Sequence, residues 1–365
     1  MGILLFILIV IACILFRRSY FLYLLSFIFM WITFGWNTKN PDREIYRLRF
    51  ESYDGWLENV TEPLYTWTMK WFHEIGVNFQ ESYIIVSLLF LVSLFYYIHS
   101  TTRNRNFVVA MILVSTYCMF ITLFRTTFAS AFALLGMLVL LYTSWGRIAK
   151  TILFLSLIIL ASAFHSVYLL YLPLVSVLWI KRGMLVKLVF VAMGLSIIFI
   201  GSISTNLLPD IMGIMHMEGK EELFLGDTNN GEGSKVIQFI LAALRCLSVL
   251  VIPFGIKYLD KKIIYNNIEE KILDVNLILF SLIPMLFISH DLYRVFYVIS
   301  IVNFCMISKY LYRKKILYFA IFCGINIGYW FYIRPYFEKT FWTIFTNNLI
   351  LDYYESKNIN NNNML

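Results

Sequence analysis

Long apolar runs constrain this sequence more than any other feature. About twelve of them follow one another along nearly the whole chain, and few charged residues interrupt them. A transmembrane helix needs about 17 to 25 mainly apolar residues. The chain is 60% hydrophobic and only 14% charged, whereas a soluble domain carries about 25% charge. The sequence therefore predicts an all-α polytopic membrane protein.

The apolar runs leave no room for a separate soluble domain, so we expect one transmembrane domain over residues 1–365. The longest polar segments are 37–81 and 205–235, which we interpret as extracytoplasmic loops, and the asparagine-rich 352–365 reads as a disordered tail. The predicted spans are 2–16, 19–36, 82–99, 107–124, 126–145, 151–164, 166–180, 184–204, 236–256, 273–289, 292–308 and 316–333. Residues 151–180 also permit one long tilted helix broken near His165, although the basic loops on either side favour two.

Basic residues gather in every second connection between these spans. More than half of the 30 Lys and Arg residues lie in such short loops, and the positive-inside rule places them in the cytoplasm, with both termini outside. Most of the 22 Asp and Glu residues fall on the other side. Since acidic residues contribute little to topology, their distribution predicts a polar working surface that faces the periplasm or exterior. The net charge of +8 is spread over small juxtamembrane clusters, which argues against nucleic acid as a partner.

The unusual polar residues lie on this predicted outer side. Arg125 and Arg294 are each expected in the first turn of a helix, where free N–H groups and the positive end of the dipole favour an anion. The alternative is an arginine that snorkels to lipid headgroups. His290 and Asp291 share a polar break with Arg294, and Asp291 acts either as a helix N-cap or as an acid that orients the neighbouring cations. The candidate site residues are Asp42, Glu62, Arg125, His165, Arg245, His290, Asp291, Arg294 and Arg334.

His165 and Arg245 are ionisable groups inside apolar segments, which favours a functional role. His165 falls at an outer turn, where an imidazole can accept or donate a proton near neutral pH; the alternative is a buried histidine that only satisfies a carbonyl. Arg245 lies about ten positions into its span and shares a face with Gln238 and Ala242. That face lines a water-filled cavity, or Arg245 pairs with a carboxylate for packing alone.

The loop 37–81 has a charged part, NPDREIYRLRFESYDGW, and an aromatic part, EPLYTWTMKWFHEIGV. Apolar residues at helical spacing in the second part predict an interfacial helix that begins just after Glu62-Pro63; they are Leu64, Trp67, Trp71 and Ile75. These aromatic residues either stack on sugar rings or form an ordinary aromatic belt. The five cysteines have no paired spacing and no nearby histidines, so the sequence predicts no metal site and no cofactor.

Four short segments resemble the EpsG family of Wzy-type polysaccharide polymerases. They are PDREIY near Asp42, EPLY at Glu62, an Arg-x-x-x-Ala helix start at Arg125, and AFHSVYLLYLP around His165, within residues 40–175. Family members often carry Arg-Gln where this chain has Arg125 followed by a threonine. The C-terminal half is similar only through Arg294 and Arg334.

The resemblance implies a GT-C-like glycosyltransferase of the bacterial inner membrane. It would join oligosaccharide repeat units carried on undecaprenyl diphosphate into O-antigen, capsule or exopolysaccharide chains at the outer face. Arg125, Arg245 and Arg294 would stabilise charge on the departing diphosphate, and His165, Glu62 or Asp42 would take the proton of the acceptor hydroxyl. Besides the lipid-linked substrate and the bilayer, a chain-length regulator and a flippase are the implied partners.

Two other functions fit a polytopic chain with buried cations. A flippase or exporter of lipid-linked oligosaccharide should show related halves or charges in both leaflets, and neither is visible here. A membrane O-acyltransferase also uses a buried histidine, but it would usually meet its acyl donor from the cytoplasm. A purely structural scaffold leaves Arg245 without a role.

Overall fold

A computed structural model describes residues 2–40, 42–52, 62–203, 232–259, 264–287, 290–310, 344 and 348. Within these ranges only the backbone is described at 197–203, 232–238, 241, 245, 252, 259, 290 and 291. Every regular element in the described part is a helix, as the all-α prediction requires.

Thirteen α-helices and three 3-10 helices form the described part of the chain. The 3-10 helices are Ser166–Leu178, Ile283–Phe287 and His290–Val295. The α-helices are α1 (Gly2–Leu15), α2 (Tyr20–Gly35), α3 (Arg43–Glu51), α4 (Pro63–Glu74), α5 (Phe79–Thr101), α6 (Arg105–Ser115), α7 (Tyr117–Thr122), α8 (Phe124–Tyr142), α9 (Arg147–Phe164), α10 (Arg182–Ile203), α11 (Glu232–Leu259), α12 (Asn267–Phe280) and α13 (Phe296–Ile307).

Three of the described helices, α5, α8 and α9, are long and apolar enough to cross a bilayer. Shorter apolar helices include α1, α2 and α6. Many large apolar side chains on these helices point outward, Phe21 and Leu15 among them, and lipid would cover them. The helices thus fit a membrane protein, and the count of twelve spans stays a prediction.

Polar capping residues set the starts of α5 and α12, which hydropathy alone places too late. Helix α5 begins at Phe79 rather than at residue 82, because Asn78 and Glu81 form a reciprocal capping box. Asn266 and Glu269 form a second such box at the start of α12. A polar first turn lies outside the apolar run, so a reading of hydropathy begins the helix too late.

Residues 151–180 form two helices that meet at His165, as predicted, but the second is a 3-10 helix. Helix α9 ends at Phe164, and a 3-10 helix, Ser166–Leu178, follows the break at His165. A 3-10 helix rises about 2.0 Å per residue against 1.5 Å for an α-helix. These 13 residues therefore extend about 26 Å, close to the hydrocarbon thickness of a bilayer.

The chain separates into two compact units, each described here by itself. The first comprises residues 1–135, 159–166 and 304–365, and the second comprises 136–158 and 167–303. In the first unit α1 packs on α6, α2 packs on α5, and α3 and α4 pack on each other and on α5. Gly35 permits a close approach of α2 to α5, since a Cβ there would lie 2.9 Å from the Ser87 hydroxyl oxygen.

In the second unit, polar side chains join helices that are distant in sequence. Asn276 and Asn303 exchange two amide hydrogen bonds, and Asn303 also donates to the Val249 carbonyl oxygen, so α11, α12 and α13 are fastened together. A second cluster pairs Arg182 with Glu270 and Asp274, and pairs Lys257 with Glu270. These residues come from loops that the charge pattern assigns to one side of the membrane, and their contact is consistent with that assignment.

Candidate functional site

The first unit contains a buried carboxylate held between two cationic or ionisable groups. Glu62 is 4% exposed. One carboxylate oxygen, Oε2, accepts a hydrogen bond from Arg125 Nη1 at 2.5 Å, and the other, Oε1, lies 2.6 Å from His165 Nδ1. The backbone N–H of Ser166 also points at Oε1, at 3.4 Å. A carboxylate buried to this degree must be paired, and here both of its oxygens are engaged.

Each member of this cluster lies at the end of a helix. Glu62 is the residue before Pro63, which begins α4, and proline is favoured at that first helical position. Arg125 is the second residue of α8, as the sequence predicted for the start of a helix. His165 directly follows the last residue of α9. Helix ends bring polar side chains and free backbone groups together, which is why this cluster forms there.

The helical winding is interrupted between Thr122, where α7 ends, and Phe124, where α8 begins. Helix α7 ends at Thr122, and the Thr127 hydroxyl donates to the carbonyl of Phe120 across the break, at 2.6 Å. The Tyr83 hydroxyl donates to the Ile121 carbonyl and accepts from the Asn40 amide. These bonds satisfy carbonyls that the interrupted helix leaves without helical partners.

Aromatic rings surround the Arg125 guanidinium. It lies 5.6 Å from the centroid of Tyr46 and 6.0 Å from that of Tyr65, within the range of cation–π attraction. Arg125 Nε also donates to the Tyr46 hydroxyl oxygen at 3.3 Å. Tyr65 is buried, and burial raises the pKa of its hydroxyl well above the usual range, so it stays neutral. Arg125 is therefore held by one carboxylate and two aromatic rings.

Ring stacking holds the end of α9 against the start of α8. Phe164, next to His165, is stacked on Phe132 with 5.3 Å between ring centroids and 5° between the planes. Phe128 contacts the same ring, with centroids 4.1 Å apart. This apolar contact helps to place His165 on the same side of Glu62 as the start of α8.

A model of the EpsG family matches residues 20–353, nearly the whole chain. The chain belongs to the EpsG family. Members of this family are Wzy-type polymerase-like, and the match makes this a membrane protein related to polysaccharide biosynthesis. Comparisons with curated proteins and with solved structures find no match.

The structure of this EpsG protein brings together three of the residues singled out from sequence, Glu62, Arg125 and His165. Asp42, the third candidate base, lies at the N-cap position of α3 and makes no capping hydrogen bond with its side chain. It precedes Tyr46 by one helical turn. Of the candidate bases, His165 contacts the Glu62 carboxylate through Nδ1.

The remaining candidates of this EpsG protein belong to the second unit or lie outside the described residues. Arg294 was predicted in the first turn of a helix; it lies in the 3-10 helix His290–Val295, two residues before α13 begins at Phe296. His290 and Asp291 begin that 3-10 helix, which places Asp291 inside it rather than at an N-cap. Arg245 is near the middle of α11, deeper than predicted, because that helix begins at Glu232. Arg334 lies outside the described residues.

Sequence reasoning missed Tyr46 and Tyr65 as neighbours of Arg125. Both belong to the segments, PDREIY and EPLY, that carry the resemblance to the EpsG family. Their helical register was the available signal, since Tyr46 is one turn after Asp42 and Tyr65 is three residues after Glu62. Of the four residues predicted on the interfacial face, Trp67, Trp71 and Ile75 are exposed and Leu64 is half-buried; the place of α4 at the membrane surface stays a prediction.

Proposed function

We propose that this EpsG protein is a polymerase that joins oligosaccharide repeat units carried on undecaprenyl diphosphate, at the outer face of the bacterial inner membrane. The observation that carries the proposal is the buried Glu62 carboxylate held between Arg125 and His165. Such a Glu–His pair suits removal of a proton from a sugar hydroxyl. Membership of a family of polymerase-like proteins supplies the reaction class.

The contact between Glu62 and His165 selects the ring nitrogen that acts as the base. When Nδ1–H of the neutral imidazole donates to the carboxylate, the lone pair lies on Nε2. After Nε2 takes a proton, the ionised Glu62 at 2.6 Å stabilises the imidazolium. His165 is therefore the proposed general base, and Glu62 is its positioning residue.

The proposed reaction is a displacement at the anomeric carbon of the donor repeat unit. The acceptor sugar hydroxyl gives its proton to His165 Nε2, and its oxygen forms the new glycosidic bond. The bond between the anomeric carbon and the phosphate oxygen breaks, and undecaprenyl diphosphate leaves with the electron pair. Net, one proton passes from the hydroxyl to the base and then to the solvent or to the released diphosphate.

Arg125 has two roles in this proposal. Its Nη1 holds the Glu62 carboxylate in the ionised form, which keeps the orienting charge in place. Its side chain is 24% exposed, and we propose that the guanidinium also contacts the diphosphate of the donor. The diphosphate contacts expected from Arg245, Arg294 and Arg334 remain proposals, and so do the periplasmic orientation and the partnership with a flippase and a chain-length regulator.

The test uses a strain from which the gene is deleted and to which one of three versions is returned: the wild type, His165→Asn or His73→Asn. The surface polysaccharide of the three strains is then compared. Asparagine keeps a hydrogen-bonding group but cannot act as a base, so we expect His165→Asn to lose long chains and still to export single repeat units. His73 is an exposed histidine on α4, and its variant should make chains of normal length. Loss of the base should lower polymerisation by about a hundredfold or more.

The same strains separate the rival functions. Accumulation of lipid-linked repeat units on the cytoplasmic side would favour a flippase or exporter. A chain of normal length that lacks only an acyl group would favour an O-acyltransferase. Normal long chains in the null strain would refute the polymerase itself.

A further inference from the structure

A second guanidinium of the first unit, that of Arg43, is half-buried at the start of α3. Its Nη2 donates to Gln80 Oε1 at 2.5 Å, and its charged group lies 5.3 Å from the centroid of the Phe79 ring. Gln80 Nε2 in turn donates to the Gly35 carbonyl oxygen at 2.5 Å, which fixes the amide with its oxygen toward Arg43. Arg43 is therefore held in one position by neutral groups.

Arg43 has no carboxylate within ion-pair distance among the described residues. The two acids of its own helix, Glu44 and Glu51, both pair with Arg47 instead. The Arg43 Nε is buried and finds no acceptor in the described part of the chain. Burial lowers the pKa of Arg43, the direction expected for a cation without a close counter-ion.

Arg43 and the Glu62 cluster border one continuous set of aromatic rings. Phe79, beneath Arg43, lies 6.1 Å from Phe124 between ring centroids, and Phe124 lies 5.9 Å from Tyr46. Tyr46 is the ring next to the Arg125 guanidinium. Of the two cations, Arg125 already has a carboxylate partner and Arg43 does not.

We propose that Arg43 binds an oxyanion of the substrate, as the second cation of this site. The inference rests on the proposed function, since it assigns a ligand group to the same substrate. A half-buried guanidinium held by an amide and a ring presents its remaining N–H donors in a fixed fork, which matches a phosphate or a carboxylate. The oxyanion is either the diphosphate of the lipid carrier or the carboxylate of an acidic sugar.

The experiment measures binding to the full-length protein in lipid nanodiscs with two probes, geranylgeranyl diphosphate and methyl glucuronide. The variants are Arg43→Gln, Arg43→Lys and, as matched control, Arg47→Gln. Arg47 lies on the same helix in an exposed ion pair, so its loss should leave binding unchanged. Loss of a charge-assisted hydrogen bond should weaken binding by about tenfold or more in Arg43→Gln. Arg43→Lys keeps the charge but loses the fork, and it should fall between the two.

The two probes identify the source of the oxyanion. A loss confined to geranylgeranyl diphosphate assigns Arg43 to the carrier, and a loss confined to methyl glucuronide assigns it to an acidic sugar; both support the proposal. Wild-type affinity for both probes in a folded Arg43→Gln or Arg43→Lys protein overturns it, as does a wild-type protein that binds neither. If the null strain still lacks long chains in that case, the polymerase proposal survives without this role for Arg43.

Discussion

Replacing Glu62 with glutamine removes the charge that joins Arg125 to His165 while it keeps the size of the side chain. A carboxylate accepts from both partners at once, at 2.5 and 2.6 Å. A glutamine oxygen can still accept from Arg125, but its NH2 group is a donor, so His165 Nδ1 keeps the second contact only as an acceptor, with the ring proton moved to Nε2. The variant therefore leaves a guanidinium without its counter-ion in a site from which water is largely excluded.

The expected cost follows from the burial of the two partners. Removing one member of a buried ion pair costs about 3–5 kcal/mol, because the other charge stays buried and unpaired. The Glu62 side chain is 5% exposed but the Arg125 side chain is 24% exposed, so water can replace part of the lost contact. We therefore expect about 3 kcal/mol, the lower end of that range.

The assay is thermal unfolding of the detergent-solubilised full-length protein, followed by loss of the monodisperse species. At about 2 °C per kcal/mol for a large domain, Glu62→Gln should lower the apparent Tm by about 6 °C. The matched control is Glu74→Gln, whose exposed ion pair with Lys70 spans 3.8 Å. That pair should contribute less than about 1 kcal/mol, or about 2 °C.

A double-mutant cycle tests whether the cost comes from the pair. If Glu62 and Arg125 stabilise each other, the double variant Glu62→Gln, Arg125→Gln should be more stable than the sum of the two single losses by about 0.5–3 kcal/mol. Additive losses, or a Glu62→Gln protein as stable as the wild type, would show that the carboxylate is not held as a buried ion pair.

Two further predictions concern residues outside the Glu62 cluster. Tyr83→Phe removes the hydroxyl that bonds Asn40 and the Ile121 carbonyl. The loss should cost about 1–3 kcal/mol because both groups stay buried. The control is Tyr96→Phe at an exposed position, which should leave the melting temperature unchanged. Equal melting temperatures of the two variants would contradict the role of the Tyr83 hydroxyl. Burial alone would raise the pKa of Glu270. Hydrogen bonds from Lys257 and Arg182 outweigh this effect, so the pKa of Glu270 lies below its usual value. Its stabilisation should be complete above the unfolded pKa of about 4.3 and be lost as the pH falls below it. The melting temperatures of wild type and Glu270→Gln should then converge between pH 6 and pH 3, and a constant gap would refute the role of that charge.

The sequence located the long helices of the first unit and three residues of the site, but it predicted no helix at α3 and one span, 107–124, where the structure has α6 and α7. Apolar runs predicted helices wherever the described chain has long ones, since hydropathy over about 20 residues is a local property of the sequence. Proline at the start of α4 and the polar break at His165 were visible for the same reason. Glu62, Arg125 and His165 were singled out because an ionisable group is costly inside an apolar segment.

Only the tertiary structure decided what those residues contact. Glu62 and Arg125 are 63 residues apart in sequence, and Glu62 and His165 are 103 apart. Their meeting depends on how α4, α8 and α9 pack, which no local pattern encodes. Packing also gave Arg125 a carboxylate where the sequence had predicted an open anion site, and it left Arg43 among neutral groups. A sequence shows which charges are costly to bury, whereas the fold determines which of them are neutralised.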